Sequence, residues 1–279
     1  MPITARRHVR KMRGGAQSHL IEASDGRFYI VKFQNNPQHR RILVNEMVSG
    51  ILLKHLQISS ADTAVIAVSE EFLRENPEVC IELGTRKIPV STGWQFGSLY
   101  PGDPARVAVY DFVPDKLLDR VRNLEDFLGV LVFDKWVSNA DGRQAVFFRA
   151  RVKEWIQGAG EAHPLTMGFI AMMIDHGFAF NGPEWNFVDS PVQGLYSRKQ
   201  VYSGVQSLAQ FEPWLERVTN FPEEVVDRAC KQIPVEWMAG EEDQFEGMLT
   251  QLMRRRKRVP DLLLDARRAK VNPFGNWKD

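Results

Sequence analysis

An apolar run from Phe169 to Ile174 stops abruptly at Asp175-His176-Gly177. A strand with such a run is buried, so the carboxylate that ends it emerges at the rim of a core, where a hard cation can be held by oxygen. The alternative is a strand-end aspartate that caps a turn. A second apolar run, Ala145 to Phe148, is preceded by the polar turn Asn139-Ala140-Asp141-Gly142-Arg143. Two strands thus each abut an aspartate-bearing loop. Asp141 either acts on a ligand from its loop or closes an Asx-turn and pairs with Arg143.

Toward the N-terminus, Ser24-Asp25-Gly26 reads as a hairpin turn, and Arg27 to Gln34 reads as a buried strand carrying Lys32 in its apolar middle. An ammonium that points inward needs an anionic partner. Otherwise Lys32 faces solvent on an edge strand. From Arg40 to His55, Leu43, Met47, Ile51 and Leu52 recur at helical spacing, and Glu46 rides on that helix fourteen residues after Lys32.

The chain has 279 residues, enough for two lobes or one large domain, with 36 basic against 35 acidic side chains and a net charge of +1. That balance gives no general reason to expect polyanion binding, and direct contact with nucleic acid is not expected. Arg254 to Arg258 is the exception, a dense basic run that either ends the fold or forms an interaction tail. Cys80 and Cys230 lack the spacing of a disulfide framework or a zinc site. The basic segment around Arg6 to His8 lacks the apolar stretch of a signal peptide, and no run approaches a membrane span, so a cytoplasmic protein is expected.

Gly84 to Pro104 is rich in glycine, proline, serine and threonine and is expected to be irregular or a long hairpin. Arg106 to Tyr110 suggests a further strand, with the boundary between two lobes, 1–113 and 114–279, placed just after it. Asn123 is expected to cap a helix running from Leu124 to about Ser138. Helices are also expected over Leu208 to Val218, Pro222 to Gln232 and Gln244 to Arg256.

Taken in order, Gly14-Gly15-Ala16-Gln17-Ser18-His19, Val31-Lys32-Phe33, Asn45-Glu46, Phe133-Asp134-Lys135-Trp136-Val137-Ser138-Asn139-Ala140-Asp141 and Ile174-Asp175-His176-Gly177 resemble the HipA-like kinase family. The resemblance runs from about residue 10 to residue 220. It implies an α+β, two-lobed protein-kinase-like fold: an N-lobe antiparallel sheet with one main helix, nucleotide-binding, and a mostly helical C-lobe that carries catalysis and metal. It also implies an ATP- and magnesium-dependent phosphotransferase acting on a serine or threonine hydroxyl of a protein, with a small regulatory protein as a possible partner.

Phosphoryl transfer asks for phosphates held by backbone N–H groups and a lysine, a metal held by oxygens, and an acceptor hydroxyl placed by a carboxylate. Carried onto this sequence, the resemblance makes Lys32 the phosphate-binding lysine, Glu46 its ion-pair partner, Asp141 the catalytic base and Asp175 the principal magnesium ligand. Gly14, Gly15, Ala16, Gln17 and Ser18 form the phosphate loop, and Tyr110, Asp111 and Phe112 the hinge against adenine. Arg143 is a candidate for neutralising charge on the transferred group, or a salt-bridge partner of Asp141 or Asp134. The family's metal-binding asparagine, five residues past the base, is replaced by Val146, so Gln144, or less readily Asn139, takes its place. The phosphate loop also has fewer glycines than a G-x-G-x-x-G. Two other readings follow from these departures and from the fold: a nucleotide-binding pseudokinase that works as a scaffold, and a small-molecule kinase.

Overall fold

The computed structural model describes residues 2–156, 163 and 165–278. The chain begins with β1 (Ile3–Lys11), β2 (His19–Ala23) and β3 (Phe28–Lys32), followed by α1 (Arg41–His55), β4 (Thr63–Val68) and α2 (Glu70–Glu75). A small hairpin, β5 (Cys80–Leu83) and β6 (Arg86–Pro89), precedes β7 (Gly93–Leu99). Next come β8 (Val109–Tyr110), α3 (Asp115–Leu118), α4 (Asp126–Val137), β9 (Gln144–Arg151), α5 (Val152–Trp155) and β10 (Met167–Ile174). After β10, short 3-10 turns at Ala179–Glu184, Lys199–Tyr202 and Leu208–Phe211 lead into α6 (Trp214–Thr219), α7 (Glu223–Cys230), α8 (Val235–Met238), α9 (Glu242–Arg255) and α10 (Val259–Arg268), with a further turn, Arg256–Arg258, between α9 and α10.

Strands β1, β2, β3, β7 and β4 close into a barrel in that order. The expected all-antiparallel sheet is corrected in one respect, because β1 and β4 pair in parallel where the barrel closes. Closure removes exposed sheet edges, which five twisted strands otherwise leave open. The stretch from Gly84 to Pro104, expected to be irregular or a long hairpin, supplies β6 of the small hairpin and then β7, which sits between β3 and β4 in the barrel. Gly97 hides β7 in the sequence: a Cβ there would lie 2.6 Å from Ile66, so the residue that weakens the strand signal is required by the packing.

Helix α1 is buried nearly all round, from Ile42 through Leu53 with Ile51 partly covered. It forms one continuous apolar core with α4 and the C-terminal helices, as expected of a helix without a polar face. A second apolar cluster, including Ile21, Val31, Phe33 and Ile66, fills the barrel. Among the described residues no helix is long and apolar enough to cross a membrane.

Two expected elements change. Leu208 to Val218 is interrupted: a short turn at Leu208–Phe211 is separated from α6 by Pro213, which has no N–H to continue a helix. Asn123 does not cap α4 by bonding its first free N–H groups. Its amide pairs with both backbone groups of Ala171, accepting at 2.9 Å and donating at 2.7 Å, and donates to Asp126, so it ties the entry of α4 to β10.

Candidate functional site

Lys32 closes β3 with its side chain inward, 7 % exposed. Its ammonium donates to Glu46 Oε1 and, at 2.7 Å, to Asp175 Oδ1. The solvated edge-strand alternative is thereby excluded, since β3 lies between β2 and β7. Burial works against the ammonium, but the two carboxylates outweigh it and hold Lys32 well above its ordinary range. Burial pushes Glu46 up, against the pull of Lys32. Asp175, whose side chain is 36 % exposed, is held low: burial raises it, and the Lys32 charge more than offsets that. One cation shared by two carboxylates leaves the cluster short of positive charge.

Sheet pairing sets the second half of the site. β10 and β9 run antiparallel with Ile174 opposite Gln144, so Asp175 and Gln144 leave the same end of one sheet. Gln144 is exposed and donates from Nε2 to Asp141 Oδ2 at 3.3 Å, which leaves its amide oxygen as the acceptor. Asp141 is exposed, and its Oδ1 accepts the Gly142 N–H at 2.7 Å. Its own N–H donates to Asn139 Oδ1 at 3.2 Å, and Asn139, 1 % exposed, donates in turn to Asp134 at 3.0 Å. Asn139 is therefore a brace for the loop. Val146 is 7 % exposed and packs into the small apolar cluster with Ala61, Phe148, Ile170 and Met172 on one face of the β9–β10 sheet, where its side chain has no oxygen to offer.

Arg143 is placed differently from a phosphoryl contact. It is 4 % exposed, with a two-pronged ion pair to the fully buried Asp134, including Nε to Oδ2 at 2.9 Å. Its remaining arm donates to Ile174 O and His176 Nδ1, both at 2.9 Å. Every arm is engaged inside the protein, so of the two expected uses the structure shows the ion pair with Asp134, which makes Arg143 a clamp joining α4 to the Asp175 loop and leaves no arm for a transferred phosphoryl group. Because guanidinium can only donate, His176 Nδ1 must accept and the imidazole proton sits on Nε2. Burial, reinforced by Arg143, holds His176 well below its ordinary value, so it is neutral.

The loop between β1 and β2 carries Gly14 to Ser18. Gln17 adopts φ 47°, and its amide pairs with both backbone groups of Glu82 at 2.7 Å, pinning the loop to β5. Its side chain is committed there, leaving backbone N–H groups as what this loop can present to a ligand. Ala16 and Ser18 are buried at 8 % and 6 % exposure, and a Cβ on Gly15 would meet Gln38 at 2.9 Å. Tyr110 and Phe112 are exposed, with β8 joined to β9 through Tyr110 opposite Phe147. Arg198 covers one face of Phe112, 4.7 Å from the ring centroid, beside the exposed Asp111. Among the described residues no hydrogen bond joins this segment to Lys32.

Sequence reasoning missed Asn45 as a separate actor. Its amide donates to the carbonyls of Gly177, Ala179 and Gly182 at 2.7–3.0 Å and accepts the Trp185 indole N–H at 2.8 Å. Asn45 thus anchors the stretch after Asp175 to α1, with the Glu46 carboxylate accepting from the His176 backbone beside it. Gly177 allows the approach, since a Cβ there would lie 2.5 Å from Ile42 Cγ2. The available signal was a polar residue beside Glu46 on a helix whose other buried positions are mostly apolar.

Among the described residues no cluster of three His, Cys, Asp or Glu could hold a metal by itself. Asp175 and Gln144, at one end of the sheet, offer a carboxylate and an amide oxygen, a donor set suited to a hard cation that draws its other ligands from elsewhere.

No curated protein sequence matches the chain. The crystal structure of the Golgi casein kinase with Mn/ADP bound superposes with a TM-score of 0.55 at 13 % identity, covering 95 % of this chain and 73 % of that one. A second structure of the Golgi casein kinase gives 0.54 at 14 % identity, covering 96 % and 74 %. At that identity the likeness is one of fold, a mixed α/β kinase-like fold. The sequence profile of HipA-like kinases matches residues 6–262, nearly the whole length, and the chain belongs to the HipA-like kinase family.

Proposed function

We propose that this protein transfers the terminal phosphate of ATP, with magnesium, to a hydroxyl on a protein. The observation that carries the proposal is the buried Lys32 ammonium held between Glu46 and Asp175. An ion triad is expensive to bury unless something besides stability retains it, and a phosphate-binding lysine beside a metal-binding carboxylate is such a reason. In this reading residues 1–113 and 114–279 are the two lobes. The backbone of Gly14 to Ser18 lies over the phosphates, and Tyr110 to Phe112 border the adenine.

Asp175 and Gln144 would hold the magnesium, which supplies charge neutralisation on the phosphates when bound. Lys32 orients and partly neutralises the phosphates, and Glu46 keeps it aimed. Asp141 receives or orients the acceptor hydroxyl proton; it is exposed, at the mouth of a braced loop, where an acceptor can reach it. Water exclusion falls to the loops on either side.

Incubation with labelled ATP and magnesium should give incorporation into the protein itself or a lysate acceptor, abolished by Asp141→Ala and by Asp175→Ala. Wild-type protein that binds ATP and transfers nothing to either rejects the catalytic reading. Val146 favours one other possibility, a nucleotide-binding scaffold, because the usual amide ligand is absent at that spacing. A thermal shift with ATP and magnesium but no turnover, on proteins or on hydroxylated metabolites, would select it.

A further inference from the structure

Lys135 is a buried lysine whose contacts are all carbonyls. It lies on α4, 3 % exposed, and its ammonium donates to the backbone oxygens of Ser190, Pro191 and Gln193 at 3.1, 2.9 and 2.8 Å. Among the described residues no carboxylate comes within ion-pair distance. Asp134, Asp189 and Asp265 act on it from farther away, and Arg255 donates to its carbonyl at 3.1 Å. Burial pushes the ammonium down to about 8. Charge buried without a counter-ion is costly, so its three bonds must hold something whose position matters.

What they hold is the segment from Val188 to Leu195, which lies against the Asp141 loop. Gly194 N–H donates to Asp141 O at 3.2 Å, and Arg143 N–H donates to Leu195 O at 3.2 Å. Ser138 Oγ donates to Val188 O at 2.8 Å. Gly194 sits so close to Asp134 that a Cβ would lie 2.2 Å from the aspartate Cβ. The segment is therefore fastened to the loop carrying Asp141 at residues 138, 141 and 143, and from beneath by Lys135. The segment exposes Val188 and Val192, 51 % and 50 % accessible; Val188 is the residue bonded by Ser138, and Val192 lies two residues before Gly194, which is bonded to Asp141.

We propose that Lys135 is a positioning residue for phosphotransfer: its ammonium fixes the 188–195 segment as a shelf that sets Asp141, with Val188 and Val192 receiving an apolar side chain of a polypeptide acceptor. This rests on the kinase reading above. The shelf is built from carbonyls that converge on one cation, so a neutral side chain of equal length releases it, whereas another permanent cation retains it.

The test uses Lys135→Met and Lys135→Arg in the full chain, with amide hydrogen exchange as a readout that needs no activity. Exchange over 139–143 and 189–196 should quicken at least about tenfold in Lys135→Met and stay unchanged over β3. Transfer to a polypeptide acceptor should lose about tenfold or more in kcat/KM for the acceptor with the KM for ATP unaltered, and Lys135→Arg should restore most of it. Val192→Ser, which leaves the clamp intact, should raise the acceptor KM alone. Unchanged exchange in Lys135→Met, or equal loss in the Met and Arg variants, overturns the clamp. An unaltered acceptor KM in Val192→Ser overturns the shelf. Wild-type protein without transfer rejects the kinase reading, and exchange still decides the clamp.

Discussion

At the scale of the residue, the protein is organised by charges placed where charges are costly. Lys32, Glu46, Asp134 and Arg143 are each under 8 % exposed, and each is matched to a partner of opposite sign. Removing one member leaves the others uncompensated, which is worse than removing the whole set. Lys32→Met should therefore cost about 3 kcal/mol or more in urea unfolding, because Glu46 and Asp175 would face one another without a cation. The same variant should bind ATP at least about tenfold more weakly by calorimetry, the loss of one charge-assisted contact. Unaltered stability would mean that Lys32 is held there by packing alone.

The site's charged chemistry was legible from sequence in proportion to how local its signal is. Lys32 and Asp175 stand out because each interrupts or ends an apolar run, and β3 and β10 are where the runs placed them. Gln144 was reachable only by counting from Asp141, and its position beside Asp175 comes from strand register, which a sequence read along its length does not display. Arg143 shows the limit from the other side. Its partner Asp134 is nine residues earlier on a helix, and only the turn at Ser138, with φ 52°, folds the two together.

At the scale of the element, α1 is the spine against which the Asp175 loop is set. Gly177 is the closest approach, and Gly177→Ala should destabilise by about 1–3 kcal/mol, since the methyl has no space beside Ile42 and the loop must retreat from Glu46. Chemical denaturation measures the loss, and an unchanged midpoint would show that the loop can shift freely. The β1–β2 hairpin makes a second prediction. Burial and the neighbouring His8 push His19 down to about 4, so in the folded protein it stays neutral well below 6.5. The unfolded chain takes up that proton first, so the contribution is complete above pH 6.5 and is lost as pH falls toward 4. Unfolding free energy should drop by about 2 kcal/mol between pH 7 and pH 5 on this account. In His19→Gln the pH slope should be shallower, and an equal slope would assign the effect to other groups.

At the scale of the whole molecule, the basic run near the C-terminus is partly a structural device. Arg255 donates to Trp136 O and Lys135 O at 3.1 Å and to Asp189 at 2.7 Å, and Arg256 donates to Phe221 O at 2.6 Å. The run therefore fastens α9 and α10 to α4 and to the segment that follows β10. Arg255→Gln should lower the melting temperature by several degrees, the expected effect of losing about 1–3 kcal/mol of charge-assisted bonds, while Lys257→Gln should leave it within about one degree. Equal melting curves for the two variants would return the run to the role of a solvated face.

The sequence by itself determined the order of the parts and their chemistry: a strand lysine, a helix glutamate, two aspartate loops at strand ends, and the family that this order belongs to. Those features are local, because hydrophobic periodicity and a charge inside an apolar run are readable within a dozen residues. Only the tertiary structure decided the parallel closure of the barrel, the inclusion of β7, the turning of Arg143 inward and the capture of the Ser190, Pro191 and Gln193 carbonyls by Lys135. Each of these joins residues through strand register, packing or a reversed turn. Their energy lies in contacts between elements, which no single stretch of sequence contains.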